Sequence, residues 1–302
     1  MSSVFVVSEE SKRYIKNFLG TNDKNVKRDI EIIKIWIRQQ SHLPEIEVFP
    51  DEFLERVLLQ CKFRIEESKS KIENYCTLRA AFPELYQNYE NVVSSNMSIS
   101  WIHMPNMLPN YERLLIMRME NPNPEQFVYL DSNKCALVTQ ELFLRYDYNI
   151  GIRAILDLGG FTMNHVKRIN INDFIKAVKL YMGAYSGRVR GIHVVNYPVY
   201  FGILLKTFKA LIKPDEREKI SFHDTIEDIF KLVPQKYWPK EYGGEVGTIA
   251  ELRKNMDNDI RNNIDYLQMC GKRICKEQKR IVEVRKSEMF GEYGTFKNLN
   301  LD

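Results

Sequence analysis

The sequence predicts an α/β protein in which a small N-terminal helical domain precedes a domain built on a mainly parallel sheet. Two observations lead to this fold class. Near the N-terminus, apolar residues recur at helical spacing, whereas beyond about residue 110 short β-branched runs alternate with helical stretches. Strands that alternate with helices favour parallel pairing through right-handed crossovers. The 302 residues are enough for both units.

Amphipathic helices account for the first part of the chain. Their apolar residues repeat every three or four positions, and the predicted helices cover residues 29–40, 51–60 and 65–81. Asp51 is a candidate N-cap of the second helix, and Pro83 is expected to end the third. We therefore predict a compact helical unit ahead of the sheet.

The stretch from residue 90 to residue 110 is polar and contains two prolines, which is typical of a connection. We place a domain boundary inside it. The predicted division is a helical domain at 1–95, an α/β domain at 96–250, and a C-terminal helix with a tail at 251–302.

The second domain is expected to alternate strands with helices. Strands are predicted at 114–117, 152–156, 189–195 and 219–222, and helices near 133–146, 172–185 and 200–212. The last of these is apolar over more than one face, so it must hide two sides. Either it is a buried crossover helix of the core, or it covers something apolar. One further helix is predicted from Thr248 onward, and the chain then becomes basic.

Composition narrows the class of protein. Hydrophobic residues make up 44% and charged residues 28%, and the 44 basic residues nearly balance the 40 acidic ones, so no nucleic-acid partner is expected. No run reaches the roughly 20 apolar residues that span a bilayer, and no signal peptide is evident. The five cysteines do not form CxxC pairs. We expect an unprocessed cytoplasmic monomer with reduced thiols.

The sequence offers no candidate for catalysis. Its five histidines are scattered without a Cys, Ser or carboxylate at the spacing of a metal or catalytic site. Asp131, Glu141 and Asp157 are isolated carboxylates, which are usually helix caps or solvated charges. The Gly159–Gly160 pair is not followed by a phosphate-binding motif. We therefore predict no enzyme activity, no cofactor and no metal.

Three motifs, taken in their order along the chain, resemble the pattern of a known family. They are the run from Val189 to Pro198 (V-R-G-I-H-V-V-N-Y-P), the Ile212-Lys213-Pro214 break, and the run from Pro239 to Gly244 (P-K-E-Y-G-G). Together they resemble the CRAL-TRIO family of lipid carriers, of the cellular retinaldehyde-binding and tocopherol-transfer type. The resemblance covers roughly residues 29 to 252.

The resemblance implies that residues 200–212 form a mobile lid over an apolar cavity floored by the sheet. Lid residues expected to face a ligand are Phe201, Leu204, Leu205 and Phe208. The sheet and the preceding helices are expected to complete the wall through Val138, Leu142, Ile155, Phe161, Ile192 and Val194. Thr139 and Cys135 share one predicted helix face and are expected to supply polar or polarisable contacts.

Basic residues on and after the lid are candidates for contact with anionic membrane surfaces or phosphoinositides. They are Lys206, Lys209, Lys213, Arg217 and Lys219, together with Arg56, which resembles a basic position of the family's N-terminal motif. An ordinary solvated face is the alternative. Two departures from the family weaken phosphoinositide recognition: acids interrupt the segment after Pro214, and Leu59 stands where a second arginine is usual.

These observations lead to one functional prediction and its alternatives. The expected function is non-enzymatic binding and transfer of a small lipophilic ligand, such as a retinoid, tocopherol, carotenoid or other terpenoid, with transient contact to anionic membranes. The alternative is a phosphatidylinositol or phospholipid exchanger, or a phosphoinositide-responsive membrane adaptor. An enzyme on an α/β scaffold is the third class.

Overall fold

A computed structural model describes residues 4–86, 92, 97–185 and 187–280 of the chain. Five strands and twelve α-helices are assigned within these residues. The helices are α1 Glu9–Phe18, α2 Asp23–Gln39, α3 Asp51–Gln60, α4 Ile65–Ala81, α5 Tyr129–Tyr146, α6 Met163–Lys167, α7 Ile171–Leu180, α8 Gly202–Leu211, α9 Pro214–Arg217, α10 Glu227–Phe230, α11 Ile249–Arg261 and α12 Ile264–Gly271. The strands are β1 Ile99–His103, β2 Glu112–Met119, β3 Gly151–Asp157, β4 Val189–Val195 and β5 Ile220–Phe222.

The N-terminal unit contains the three predicted helices and one that was not predicted, α1. α3 and α4 have the predicted bounds, whereas α2 begins six positions earlier than predicted, at Asp23, where the Asn22 side chain accepts a hydrogen bond from the Asn25 amide. The prediction that Asp51 is an N-cap was wrong. Pro50 occupies the cap position, and Asp51 is the first helical residue, where its negative charge still favours the helix N-terminus.

The sheet has the strand order β1-β2-β3-β4-β5. β1 is antiparallel to β2, and the remaining neighbours are parallel, as the alternation of strands and helices predicted. β1 lies in the stretch that we expected to be only a connection. Its five residues are flanked by polar sequence, so the pattern did not reveal it. The hairpin between β1 and β2 turns at Tyr111, whose φ is 60°.

The two faces of the sheet are covered by different parts of the chain. On one face, Ile116, Ile155 and Val195 pack against the segment that contains the fully buried Trp238. On the other face, alternate residues of the same strands point toward α5, α7 and α8. The first face is filled by packed side chains, and the second borders a cavity.

The C-terminal segment folds back onto the helical unit. The single helix predicted from Thr248 is broken at Asn262 and Asn263 into α11 and α12. Beyond α12, the Arg273 side chain is fully buried, donates to the Val48 carbonyl at 2.7 Å and lies 4.3 Å from the Phe53 ring centroid. The basic residues at 285 and 286 lie outside the described part. No helix within the described residues has the length and apolarity needed to cross a bilayer.

The turn from Trp238 to Gly244 fixes the cover of the filled face. The Trp238 indole donates to the Val233 carbonyl at 3.0 Å. Gly243 has a φ of 74°, which glycine tolerates. A Cβ atom on Gly244 would lie 1.9 Å from the Trp238 carbonyl oxygen and 2.7 Å from that of Gln235. Backbone atoms cannot move aside as a side chain does, so this position requires glycine.

We expect Gly244→Ala to lower the free energy of unfolding by about 3 kcal/mol, because the added methyl group forces backbone shifts in a packed core. Urea denaturation measures this loss. Gly271→Ala is the matched control, because a Cβ at that helical position would meet no atom within 4 Å apart from its chain neighbours and its own helix backbone. The stability of this variant should equal or slightly exceed that of the wild type. Equal stability of both variants would contradict the steric account.

Candidate functional site

An apolar cavity of about 290 Å³ lies between one face of the sheet and the helices α5, α7 and α8. Its floor consists of alternate residues from four neighbouring strands, which are Ile99, Trp101, Leu115, Met117, Ile152, Ala154, Leu156, Val189, Ile192 and Val194. Successive side chains of a strand point to opposite faces, so β1, β2 and β3 contribute every second residue. β4 does so from Ile192 onward, after a register shift between Val189 and Gly191. The cavity is therefore a consequence of the sheet's alternation.

The structure places Ile155 on the other face of the sheet. It pairs with His193, and it packs in the cluster that contains Trp238. Its sequence neighbours Ala154 and Leu156 line the cavity instead, because they pair with Ile192 and Val194. Ile152, Ala154 and Leu156 form an apolar face of β3, whereas Arg153 and Asp157 share the other face with Ile155. The alternation along β3 would therefore have indicated Ala154 and Leu156.

The four predicted residues of α5 do not line this cavity either. Val138 and Leu142 are fully buried against the N-terminal helical unit. The Thr139 hydroxyl donates to the Cys135 carbonyl at 2.9 Å, and burial raises the pKa of the Cys135 thiol to about 12. The cavity is instead lined by Tyr129, Asn133 and Gln140. α5 is buried on all sides, so its apolar pattern carries no information about which face meets the cavity.

Helix α8 covers the cavity from one side. Phe201, just before the helix, and Leu204, Leu205 and Phe208 within it line the cavity, as do the predicted Phe161, Ile192 and Val194. The Phe201 and Phe161 rings meet edge to face with centroids 5.2 Å apart, and the Tyr200 hydroxyl donates to the Phe161 carbonyl. The structure thus brings seven of the predicted cavity residues around one cavity.

Sequence reasoning missed the wall that follows α7. The helix predicted at 172–185 is α-helical only as far as Leu180, and a π-helical turn over Tyr181–Tyr185 follows it. Tyr181, Met182 and Tyr185 of this turn line the cavity. Such turns occur often at functional sites. The Tyr181 hydroxyl donates to the Asn133 carbonyl at 3.3 Å. No sequence signal distinguishes this turn from the end of an ordinary helix.

A carboxylate fixes the chain where it leaves the sheet and enters the lid. Asp157, at the end of β3, accepts hydrogen bonds from the Asn196 amide and the Tyr242 hydroxyl, both at 2.7 Å, and from the Gly159 amide at 3.0 Å. Asn196 has a φ of 52°, so the turn before α8 is left-handed. Asp157 therefore joins β3, the entry to the lid and the Pro239–Gly244 motif.

The predicted membrane-facing cations take different environments. Lys206 and Lys213 are exposed, and no ion pair within the described residues involves them. Lys209 lies 5.4 Å from the Phe222 ring centroid, and Lys219 pairs with Glu216 at 2.8 Å. Arg217 is exposed and donates to the Ile212 carbonyl. All five follow one stretch of chain along and after α8.

Arg56 is buried rather than part of that surface. Its guanidinium lies 4.7 Å from the Tyr148 ring centroid and 3.4 Å from a Glu55 oxygen. Arg56 and Arg188 line a second pocket, of about 10 Å³, and each has at least one buried nitrogen without a hydrogen-bond partner in the described structure. About one water fits such a volume. Arg56 is thus oriented by packing against Tyr148.

Comparisons with known proteins agree with this architecture. The family profile of the CRAL/TRIO domain matches residues 103–244, which include strands β2 to β5 and α8. A profile described as Pinta-like, UBA domain matches residues 22–96, the helical unit. Residues 103–244 form a CRAL/TRIO domain. This family comprises lipid-binding and transfer proteins.

Curated relatives of this CRAL/TRIO chain include alpha-tocopherol transfer protein-like from Homo sapiens, 24% identical over 234 residues, and from Mus musculus, 24% identical over 237 residues. Each match covers 74% of this chain and 66% of the relative, so the chain spans just under two thirds of their length. The crystal structure of Sfh5 overlaps 85% of this chain and 100% of its own at 15% identity, with a TM-score of 0.40, too low to carry an argument.

Two further sets of polar side chains pair inside this CRAL/TRIO chain. His193 lies 3.0 Å from both His223 and Arg153, and burial lowers its pKa to about 4. The interpretation of Glu141 as a cap or solvated charge was wrong. Its side chain is fully buried and lies 2.6 Å from the Arg79 guanidinium. Among the described residues, no His, Cys, Asp and Glu side chains group so as to hold a metal ion.

We expect Tyr242→Phe to lower the free energy of unfolding by about 2 kcal/mol, because it removes a hydrogen bond to a carboxylate. It should also speed amide hydrogen exchange at residues 196–201, which Asp157 holds through Asn196. Tyr237→Phe is the matched control, since no hydrogen bond of its hydroxyl is present within the described residues. Indistinguishable exchange in the two variants would argue against a clamp at Asp157.

Proposed function

We propose that this chain is a non-enzymatic carrier, which encloses one lipophilic molecule in the cavity under α8 and delivers it between membranes or proteins. The observation that carries the proposal is the continuous apolar wall, built from the sheet, α7 and the lid residues Phe201, Leu204, Leu205 and Phe208. Transfer of apolar surface out of water contributes about 25 cal/mol per Å². Such a wall holds an apolar molecule strongly without any reactive group.

The size and polarity of the cavity favour a single-chain ligand. A volume of 290 Å³ is near the lower end of the roughly 300–1,000 Å³ of small-molecule sites, and a phospholipid with two acyl chains needs more room than a single isoprenoid. Asn133 and Gln140 supply amide groups that can orient one polar end. We therefore favour a retinoid, tocopherol or other small terpenoid; a carotenoid, which is about twice as long as a retinoid, would need the cavity to widen. Relatives named alpha-tocopherol transfer protein-like support this class.

Ligand exchange in this proposal requires α8 to move. Opening it in water exposes apolar side chains worth about 1.5–3 kcal/mol each. Val199 and Ile203 are already exposed, at 90% and 54%, and would enter a membrane interface first. Lys206 lies one turn after Ile203, and Lys213 and Arg217 follow the end of α8. Each would gain on the order of 1 kcal/mol near anionic headgroups. The proposed carrier is a cytoplasmic monomer that contacts such membranes transiently.

A charge on the inner face of α8 is expected to abolish ligand uptake. In Leu204→Asp, a carboxylate replaces a wall residue that is 4% exposed, and we expect at least a tenfold weaker binding because an isolated buried charge is strongly unfavourable. Ile203→Asp, one position along the same helix but exposed, should bind normally. Both variants and the wild type are offered retinoids, tocopherols, carotenoids, terpenoids and phospholipids, and bound lipid is extracted and identified by mass spectrometry.

A second pair of variants separates ligand loss from unfolding. Ala154→Phe fills the cavity floor without adding charge and should also reduce uptake, whereas Ala210→Phe adds the same side chain at an exposed site of α8 and should not. Normal uptake by both Leu204→Asp and Ala154→Phe would exclude the cavity as the binding site. If every sample yields only phospholipid, the exchanger becomes the better proposal.

One observation favours the alternative, a phosphoinositide-responsive exchanger or adaptor. The guanidinium groups of Arg56 and Arg188 share the small second pocket, and within the described residues each has a buried N–H group without a hydrogen-bond partner, which an anionic headgroup oxygen would satisfy. Its volume of about 10 Å³ does not enclose a whole phosphate, so such binding would need the pocket to widen. We rank this function second for that reason.

Reversing charges after the lid distinguishes the two functions. We expect Lys213→Glu with Arg217→Glu to leave ligand affinity unchanged and to slow transfer to vesicles containing anionic lipid by about tenfold or more, because headgroup attraction becomes repulsion. Raising the salt concentration should shrink the difference. The control is Lys231→Glu, an exposed site near the other face of the sheet. Loss of ligand binding itself in the double variant would favour the exchanger.

A further inference from the structure

Two cysteines that are far apart in the sequence lie side by side in the structure. Cys76 is in α4, and Cys275 is in the C-terminal segment that packs against it. The Cys275 amide donates to the Cys76 carbonyl at 3.2 Å. With standard backbone dimensions, one such hydrogen bond keeps the two Cα atoms within about 7 Å, the distance beyond which a disulfide cannot form without backbone movement.

The surroundings of the Cys275 sulfur favour its thiolate. The Thr77 hydroxyl lies 3.3 Å from it, and the Arg280 guanidinium donates to it at 3.9 Å. The hydrogen bond with Cys76 lowers the pKa of the Cys275 thiol, and the Thr77 hydroxyl acts in the same direction. Burial raises the pKa of Cys76. One sulfur of the pair is thus prepared to react, and the other remains a thiol beside it.

The other three cysteines lack this arrangement. Burial raises the pKa of Cys61, and it raises the pKa values of Cys135 and Cys270 to about 12. Cys61 is the informative comparison, because its exposure of 9% is close to the 7% of Cys275. Access to solvent therefore does not separate these two thiols. At Cys275 the hydrogen bonds with Cys76 and Thr77 outweigh burial and lower the pKa, whereas at Cys61 burial outweighs the hydrogen bond with Ser68.

We propose that Cys76 and Cys275 form a reversible disulfide when the protein meets a peroxide, and that this bond fastens the C-terminal segment to α4. Inside a reducing compartment such bonds are transient and usually serve redox sensing. This site is independent of the ligand cavity, so it stands or falls separately from the carrier function.

The chemistry balances with a hydroperoxide as the oxidant. The Cys275 thiolate attacks one peroxide oxygen, an S–O bond forms, the O–O bond breaks, and the leaving oxygen departs as water (or an alcohol) after protonation. Cys275 is then a sulfenic acid. The Cys76 sulfur attacks it, the S–S bond forms, and the S–O bond breaks. The Cys76 proton leaves with the hydroxide as a second water. Two thiols are oxidised, and one peroxide is reduced.

The bond would act on a segment that already joins several parts of the fold. Arg273 and Arg280 lie on either side of Cys275. Arg273 reaches the buried Glu141, and Arg280 pairs with Glu73 of α4. A disulfide between Cys76 and Cys275 removes the unfolded conformations in which these two residues are far apart. Oxidation is therefore expected to stabilise the protein and to slow local opening of residues 264–280.

The test treats the folded full-length chain with equimolar hydrogen peroxide, blocks free thiols with N-ethylmaleimide, and maps disulfides by mass spectrometry without reduction. We expect one cross-linked peptide pair, containing residues 76 and 275, which dithiothreitol separates. The unfolding midpoint should rise by roughly 5 °C or more on oxidation. Before oxidation, brief alkylation should label Cys275 ahead of Cys61.

Variants make the assignment specific. Cys275→Ser and Cys76→Ser should each lose the cross-link and the shift in midpoint, whereas Cys61→Ser should keep both. A cross-link between any other pair, a bond that forms only in urea, or equal labelling of Cys275 and Cys61 would overturn the proposal. The labelling comparison uses the wild-type chain, so it decides the question even if a serine variant folds poorly.

Discussion

The buried carboxylate of Glu141 is the constraint on which the arrangement of the three parts of the chain depends. It accepts hydrogen bonds from Arg79 and Tyr75 of α4 and from Tyr185 of the π-helical turn, and Arg273 of the C-terminal segment lies 3.6 Å away. A charge buried without partners costs several kcal/mol, so each of these groups must be present when the core closes. The helical unit, the α/β domain and the C-terminal segment are thereby held together around one carboxylate.

This network also fixes the far wall of the cavity. Tyr185 donates to Glu141 and lines the cavity at the same time, so the π-helical turn cannot move without breaking a buried charged hydrogen bond. Close packing adds to this restraint, because a Cβ on Gly183 would lie 2.6 Å from a methyl group of Leu78. α8 is held differently, by apolar contacts and the hydrogen bond from Tyr200 to Phe161. The wall formed by the π-helical turn is therefore the more firmly held side of the cavity, and α8 is the more weakly held cover.

Local patterns in the sequence account for the fold better than for the site. β4 has the predicted bounds, and the alternation of elements predicted the parallel sheet. The side that each residue faces was harder to predict where an element is buried all round, as α5 is from Cys135 to Leu144, so Val138 was placed on the wrong face. Ile155 was also placed on the wrong face, although Arg153 and Asp157 share its side of β3. Glu141 was misjudged because its partners come from distant segments, and spacing along the chain carries no information about them.

The attachments of α8 explain why a membrane can control the proposed carrier. Before the helix, Asn196 is bound to Asp157, and after it the Ile192 amide binds the Lys219 carbonyl at 2.9 Å, so both ends stay on the sheet. Between these anchors, the helix stays closed because its apolar inner face is buried. This burial is favourable only when opening would expose the inner face to water. At a lipid surface the same side chains find apolar surroundings, and the free-energy difference between closed and open forms shrinks. In the proposed carrier, the residues that close the cavity in water would therefore make its opening dependent on a membrane.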